Sequence, residues 1–211
     1  MIKIDIFSDT ICPWCYIGKK RLDKAISKFS HEKFRITWRP FQLNPNMQAD
    51  GMDRKEYLVS KFGSEDGANT VYENIYNEGL KENIDFKFDN IKVTPNSFNS
   101  HRLLALAYQK DLQNEVIEDL FQSYFLKGMD IGDPNILLDI AKNHQINEDE
   151  FKQYLTDKNN IEPLANEELE ARRMGINSVP TFIVNQQLVI NGAQQVENFE
   201  LIFSKILSKI H

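Results

Sequence analysis

The stretch Ile2-Lys3-Ile4-Asp5-Ile6-Phe7-Ser8-Asp9-Thr10-Ile11-Cys12-Pro13-Trp14-Cys15 changes character in its middle. The first half alternates apolar Ile2, Ile4 and Ile6 with polar Lys3 and Asp5, the period of a β-strand. The second half ends in the only two cysteines of the 211-residue chain, separated by Pro13 and Trp14. Random placement would give two cysteines this spacing roughly one time in a hundred, so the pair has a reason beyond chance. Pro13 stands where a helix would begin, a favoured place because the N–H that proline lacks has no intrahelical partner there. Leu22, Ala25, Ile26 and Phe29 then recur at helical spacing, predicting a helix to about Phe29. Phe34–Trp38 reads as a second strand, stopped by Arg39-Pro40.

Outward from this βαβ start the pattern changes again. Pro45, Gly51 and their polar neighbours read as a linker, and residues 53–165 show helical periodicity with little strand signal. Helices are expected at Arg54–Phe62, Gly67–Asn83, Phe98–Lys110 and Asn114–Leu126. Asp133-Pro134 is an N-cap followed by proline at N1, and Asn147 with Glu150 resembles a capping box. Glu162–Met174 reads as a further helix, with Gly175 placed to terminate it. Strand signal then returns: Thr181–Val184 and Leu188–Ile190 flank a turn and predict a hairpin. A last helix carries Val196, Phe199, Ile202, Phe203, Ile206 and Leu207 on one stripe. The expected class is α/β, laid out as βαβ, a helical block, then αββα. Residues 1–45 and 166–211 would form one discontinuous sheet domain, with 46–165 as a helical insertion.

Bulk properties narrow the function. Hydrophobic residues make up 41% and charged residues 27%, enough to bury a sizeable core. A formal charge of −6 argues against nucleic acid as a partner, because phosphate binding needs clustered Lys and Arg. No apolar run approaches the roughly eighteen residues of a membrane helix, so no membrane partner is expected. The first residues are too short and too acidic for a signal peptide. A cytoplasmic location is therefore expected, where thiols are mostly kept reduced and a cysteine pair is more often chemical than structural.

Thiol chemistry suits the pair's address. A thiolate attacks disulfides, and a helix N-terminus lowers a cysteine pKa through its free N–H groups and the positive end of the helix dipole. Cys12, at the first position and within reach of solvent, is the expected nucleophile. Cys15 lies one turn in on the same face and is the expected resolving thiol. Pro13 fixes the turn, and Trp14 adds an aromatic surface without an ionisable group. With no histidine between the cysteines, less thiolate stabilisation is expected than in the most oxidising C-x-x-C proteins. The competing structural reading is a zinc pair or an inert buried pair. Zinc wants four ligands, and His31, His101, His144 and His211 show no ligand spacing, so no metal is expected. Asp9, three residues before Cys12, is placed either to accept the proton or simply to finish the loop, and it reads as a solvated loop carboxylate.

A cysteine pair after the first strand and Val179-Pro180-Thr181 opening the third resemble the thioredoxin superfamily. More specific are Ser8-Asp9-x-x-Cys12-Pro13-Trp14-Cys15-Tyr16-x-Gly18-Lys19, Asn96 ahead of His101-Arg102-Leu103, and Tyr124-Phe125 near Asp130-Ile131-Gly132. Val179-Pro180-Thr181-Phe182 with Gly192-Ala193-Gln194 completes the set. Together these resemble the FrnE-like branch of the DsbA family of thiol–disulfide oxidoreductases. The resemblance spans nearly the whole chain and implies a thioredoxin fold interrupted by a helical domain. It further implies a cis Pro180 beside the cysteines and a Val179 backbone that pairs with an extended substrate. Asn96 and His101 match a family segment and become candidate substrate contacts. Beside that stands the plainer reading of a helix cap for Asn96 and a satisfied, partly buried His101.

The expected activity is disulfide exchange with protein or small-thiol substrates. No cofactor is expected beyond glutathione or another low-molecular-weight thiol as co-substrate. The alternative is glutathione-dependent transfer or isomerisation, because kappa-class glutathione transferases and 2-hydroxychromene-2-carboxylate isomerases resemble the same fold. Those relatives generally carry serine where this chain has Cys12.

Overall fold

The computed structural model describes residues 1–29 and 31–208; the end of the expected second domain segment, with His211, lies outside the described residues. Strand β1 (Ile2–Ser8) leads through a short loop into helix α1 (Pro13–Ser27), and β2 (Phe34–Pro40) returns beside β1. The two strands are parallel, from Ile2 opposite Phe34 to Ser8 opposite Pro40. A parallel neighbour demands a crossover, and α1 is that crossover. β2 runs two residues past the expected end at Trp38, through Arg39 and Pro40. It is an edge strand in the order β2-β1-β5-β6, so the missing proline N–H costs no ladder bond at its end.

Between the two halves of the sheet lie β3 (Met52–Asp53), α2 (Arg54–Phe62), α3 (Glu65–Lys81), β4 (Val93–Thr94), α4 (Phe98–Tyr108), α5 (Gln113–Phe125), α6 (Pro134–Asn143), α7 (Glu148–Thr156) and α8 (Ile161–Arg173). The expected caps form: Asp133 accepts from Asn135 N, and Asn147 from Asp149 N and Glu150 N. β3 and β4 pair antiparallel as a two-residue ladder that the helical periodicity did not predict. β5 (Thr181–Val184) then inserts beside β1, β6 (Leu188–Asn191) pairs with it as a hairpin, and α9 (Val196–Leu207) closes the chain.

Alternation in the strands divides the core. Ile2, Ile4, Ile6, Phe182 and Val184 pack with Leu22 and Ala25 of α1 and Phe199 and Phe203 of α9. On the opposite face Phe7 packs with Phe41, Ala171 of α8 and Ile176. The domain boundary expected between 165 and 166 falls inside α8, a continuous helix that also serves the sheet. Arg39 Nη1 donates to Glu167 Oε1 at 2.7 Å, and Glu168 Oε1 accepts from Gln42 N at 3.0 Å. Within the helical block Phe121, Tyr124 and Phe125 are buried core, whereas Tyr72 and Tyr76 are only half-buried.

The helical block is bolted to α1 by charge as well as packing. Arg21, fully buried in α1, donates to Oε2 of Glu78 on α3 at 2.5 Å and to Oε1 of Glu82, the C-cap of α3, at 2.7 Å. Further along the contact, Glu118 of α5 accepts from Tyr16 at 2.9 Å and from Lys20 at 2.6 Å, with Lys19 Nζ 3.0 Å away. Burial alone would raise the Glu118 pKa; hydrogen bonds from Lys20 and Gln122 and the Lys19 charge outweigh it and bring it to about 2. Tyr16 also stacks on Phe121 at 5.0 Å.

Candidate active site

Cys12 is the N-cap of α1 with φ −95° and ψ 112°, and Pro13 occupies the first helical turn. Cys12 N donates to Asp9 O at 3.0 Å, and the Cys12 carbonyl accepts from Cys15 N at 3.0 Å. The first turn contains no acidic side chain to offset the positive end of the helix dipole. Both cysteines are free thiols. Cys15 is 1% exposed and, contrary to expectation, Cys12 is also buried, at 4%. The segment ahead of β5 covers it: the Cys12 thiol donates to Val179 O at 3.8 Å. Burial first, then the hydrogen bond and charge of Cys12, push the Cys15 thiol well above its ordinary pKa. The Ser8 hydroxyl and the Asp9 backbone pull weakly the other way. Trp14 is half-buried and packs on the core.

The Val179–Pro180 peptide bond is cis. Among the described residues Val179 N–H donates to no protein acceptor, while Pro180 O accepts from Gly192 N at 2.8 Å. Pro180 sits against α1 at Gly18, where a Cβ would stand 3.1 Å from its Cγ and 3.3 Å from Phe182 Cζ. Glycine at 18 is what lets the helix carrying the cysteines approach the loop that covers them.

Asp9 corrects the sequence reading. It is fully buried, not solvated, because the chain leaving β2 folds over it. Its Oδ2 accepts from Leu43 N at 2.6 Å and its Oδ1 from Ile11 N at 3.3 Å. His101, 3% exposed on α4, directs Nε2 to within 3.6 Å of Asp9 Oδ1, and that nitrogen has no hydrogen-bond partner. Thr10 Oγ1 and Ser100 Oγ meet at 2.7 Å beside this pair. His101 is thus brought under the cysteine loop and away from any outer surface.

Asn96 uses its amide internally. Its Oδ1 accepts from Phe98 N at 2.9 Å and Gln42 Nε2 at 3.0 Å, and its Nδ2 donates to Met47 O at 2.7 Å. Asn96 stands one residue before Ser97, the N-cap of α4, and its side chain ties the helix start to the linker. Gln42, overlooked in the sequence, is the hub of that tie: its carbonyl also accepts from Arg172 Nη2 at 2.6 Å. A lone polar residue after a strand carries no local signal of such a role. Among the described residues no three His, Cys, Asp or Glu side chains gather as a metal-ligand set, and no helix is long and apolar enough to cross a membrane.

Residues 3–203 match the model of the DSBA-like thioredoxin domain family. The chain belongs to that family. It is 25% identical over 205 residues to YwbO of Bacillus subtilis, covering 94% of each chain. A probable DsbA oxidoreductase, SCO1869 of Streptomyces coelicolor, superposes with a TM-score of 0.90 at 25% identity, over 99% of this chain and 91% of that one. A 2-hydroxychromene-2-carboxylate isomerase shares the fold with a TM-score of 0.77 at 12% identity, over 98% and 97% of the two chains. The fold is thus shared by proteins named for different chemistries, and the site residues must decide between them.

Proposed function

We propose that the protein is a thiol–disulfide oxidoreductase of the FrnE-like branch, in which Cys12 attacks and Cys15 resolves. The Cys12 thiolate attacks one sulfur of a substrate disulfide, forming a mixed disulfide and releasing the first substrate thiolate. The Cys15 thiolate then attacks Cys12 Sγ and releases the second. The substrate gains two electrons, and the Cys12–Cys15 pair becomes a disulfide. A low-molecular-weight dithiol, or two molecules of a thiol such as glutathione, returns the pair to the dithiol; run in reverse, the same steps oxidise a substrate.

The observation that carries this reading is the unequal environment of the two thiols. Cys12 stands at an unopposed helix N-terminus, while Cys15 is held protonated by burial and by Cys12 itself. Forming the mixed disulfide removes the Cys12 hydrogen bond and charge, so the Cys15 pKa falls at the moment its thiolate is needed. Val179, with a free N–H beside the cysteines, supplies main-chain groups for an extended substrate, and Pro180 holds that segment against Gly18. Pro13 and Trp14 shape the turn. The work is assigned to the cytoplasm, where a dithiol stays reduced between turnovers.

The test is covalent trapping. Cys15→Ser should accumulate mixed disulfides through Cys12 on non-reducing gels, and the double serine variant should accumulate none. Turnover that survives Cys12→Ser would move the chemistry away from the pair and favour a glutathione-dependent transferase or isomerase.

A further inference from the structure

Among the described residues three arginines are buried, and their compensation differs. Arg21 meets the carboxylates of Glu78 and Glu82, and Arg102 donates to the carbonyls of Tyr154, Leu155 and Asp157 at the end of α7. Arg54, at the start of α2 and 7% exposed, has no carboxylate partner. Its Nη1 donates to Thr94 Oγ1 at 3.2 Å, and its guanidinium lies 5.0 Å from the Tyr72 ring and 5.7 Å from that of Tyr57. Burial pushes the phenols of Tyr72 and Tyr124 up, so these neighbours stay neutral and supply no counter-charge. A buried cation without an anion is costly, and arginines are rarely buried unpaired.

Arg54 is also the floor of open space. Two adjoining clefts, of about 470 and 390 Å³, share Arg54, Leu58, Ala68, Asn69, Phe88 and Asp89 in their walls. That is the size range of small-molecule sites. Leu58, Ala68, Tyr72 and Phe88 give the clefts an apolar and aromatic side, Tyr72 and Phe88 meeting edge to face at 4.7 Å, with polar Asn69 beside them. The rim carries both signs, with Lys55, Lys87 and Lys92 standing among exposed carboxylates. Asp85 is held by Lys87 at 2.5 Å and Asp53 caps α2, which leaves Glu65, Glu73 and Asp89 facing the mouth.

We propose that this cleft binds a small amphipathic monoanion, a single carboxylate on an aromatic or aliphatic body, with the carboxylate on Arg54 and the body along Leu58, Ala68 and Phe88. The planar guanidinium pairs with a carboxylate through two parallel hydrogen bonds. The apolar body distinguishes this ligand from a bare anion such as phosphate, which gains nothing along Leu58, Ala68 and Phe88. This site is separate from the cysteine pair and stands whether or not the redox reading holds.

4-Phenylbutyrate is the probe, with 4-phenylbutanol as its uncharged counterpart and inorganic phosphate as a charge-only control, followed by amide chemical shifts of the full chain at pH 7. Saturable shifts confined to residues 54–58, 68–73 and 85–92 are expected with phenylbutyrate. The alcohol should bind about tenfold more weakly or worse, the loss expected for one charge-assisted contact. Arg54→Met should weaken binding by a similar factor. Asn69→Trp, at an exposed position with no side-chain hydrogen bond, fills the mouth while keeping Arg54 and should weaken it too. The proposal is overturned by absent or scattered shifts with phenylbutyrate, by equal binding of the alcohol or of phosphate, or by undiminished binding to Asn69→Trp. If Arg54→Met does not fold, the alcohol and Asn69→Trp arms decide alone.

Discussion

Gly18 leaves 3.1 Å between the place of its absent Cβ and Pro180 Cγ, so the cysteine helix and the Val179–Pro180 segment touch through a missing side chain. An exposed mid-helix glycine replaced by alanine usually stabilises by up to about 1 kcal/mol. Here the added methyl also meets Phe182 Cζ at 3.3 Å, and Phe182 is fully buried. Both rings are buried. Gly18→Ala is expected to lower stability by about 1 kcal/mol net, and Gly18→Val by about 2–3, as overpacking does. Urea unfolding midpoints measure this; a stabilised Gly18→Ala would show that the contact is slack.

A second expectation concerns alkaline pH. The folded reduced protein holds Cys15 above its ordinary pKa, through burial and then through Cys12. A group whose folded pKa is raised stabilises the fold below its unfolded pKa, about 8.5 for a thiol, and that contribution is lost as pH rises beyond it. Reduced protein should therefore lose more stability between pH 8 and pH 10 than Cys15→Ser does. Replacing Cys12 by alanine removes the two raising influences that Cys12 exerts but leaves the burial. Iodoacetamide labelling of Cys15 in Cys12→Ala should then begin at lower pH than Cys15 labelling in the parent. Identical labelling profiles would mean that burial alone sets the Cys15 pKa.

The visible and the hidden parts of this site differ in how far apart their partners are in the chain. Cys12, Cys15 and Pro13 declare themselves locally, because a helix start and a reactive pair are properties of adjacent residues. The sheet was legible from alternation in β1 and in the β5–β6 hairpin. The burial of Asp9 was not, since it depends on Leu43 N arriving from the far end of β2. The closure of Cys12 was hidden for the same reason: its cover, Val179, lies 167 residues away. The β3–β4 pair has two residues per strand, too few to register as a period. Arg54 carries no sequence signal beyond opening the expected helix Arg54–Phe62; only the enclosing tyrosines make it unusual.

Glu118 offers a test of how the helical block is held to α1. Its pKa is lowered to about 2 because the Lys20 and Gln122 hydrogen bonds and the Lys19 charge outweigh desolvation. A depressed folded pKa stabilises above the unfolded value, near 4.3, and the contribution disappears as pH falls towards 2. Glu118→Gln should cost about 1–3 kcal/mol at pH 7, discounting for the carboxylate's partial exposure. The gap between variant and parent should close between about pH 4.5 and pH 2. A gap of constant size across that range would assign the loss to packing, not charge.

Asp9 supports the cysteine loop from beneath by accepting from Leu43 N and Ile11 N while His101 Nε2 faces it at 3.6 Å. Asp9→Ala strips the acceptor from a buried backbone N–H, a loss of about 1–3 kcal/mol for each group left unsatisfied. Asp9→Asn keeps a neutral oxygen where Leu43 needs one, so its cost should be the smaller of the two. The amide of Leu43 gives the direct readout: its hydrogen exchange should accelerate strongly in Asp9→Ala and mildly in Asp9→Asn. Because the Cys12 amide bonds to the Asp9 carbonyl, a backbone loosened at Asp9 also loosens the N-cap of α1. Labelling of Cys12 should therefore quicken in Asp9→Ala in step with Leu43 exchange. Faster Leu43 exchange with unchanged Cys12 labelling would separate the linker from the thiol site and confine Asp9 to the linker.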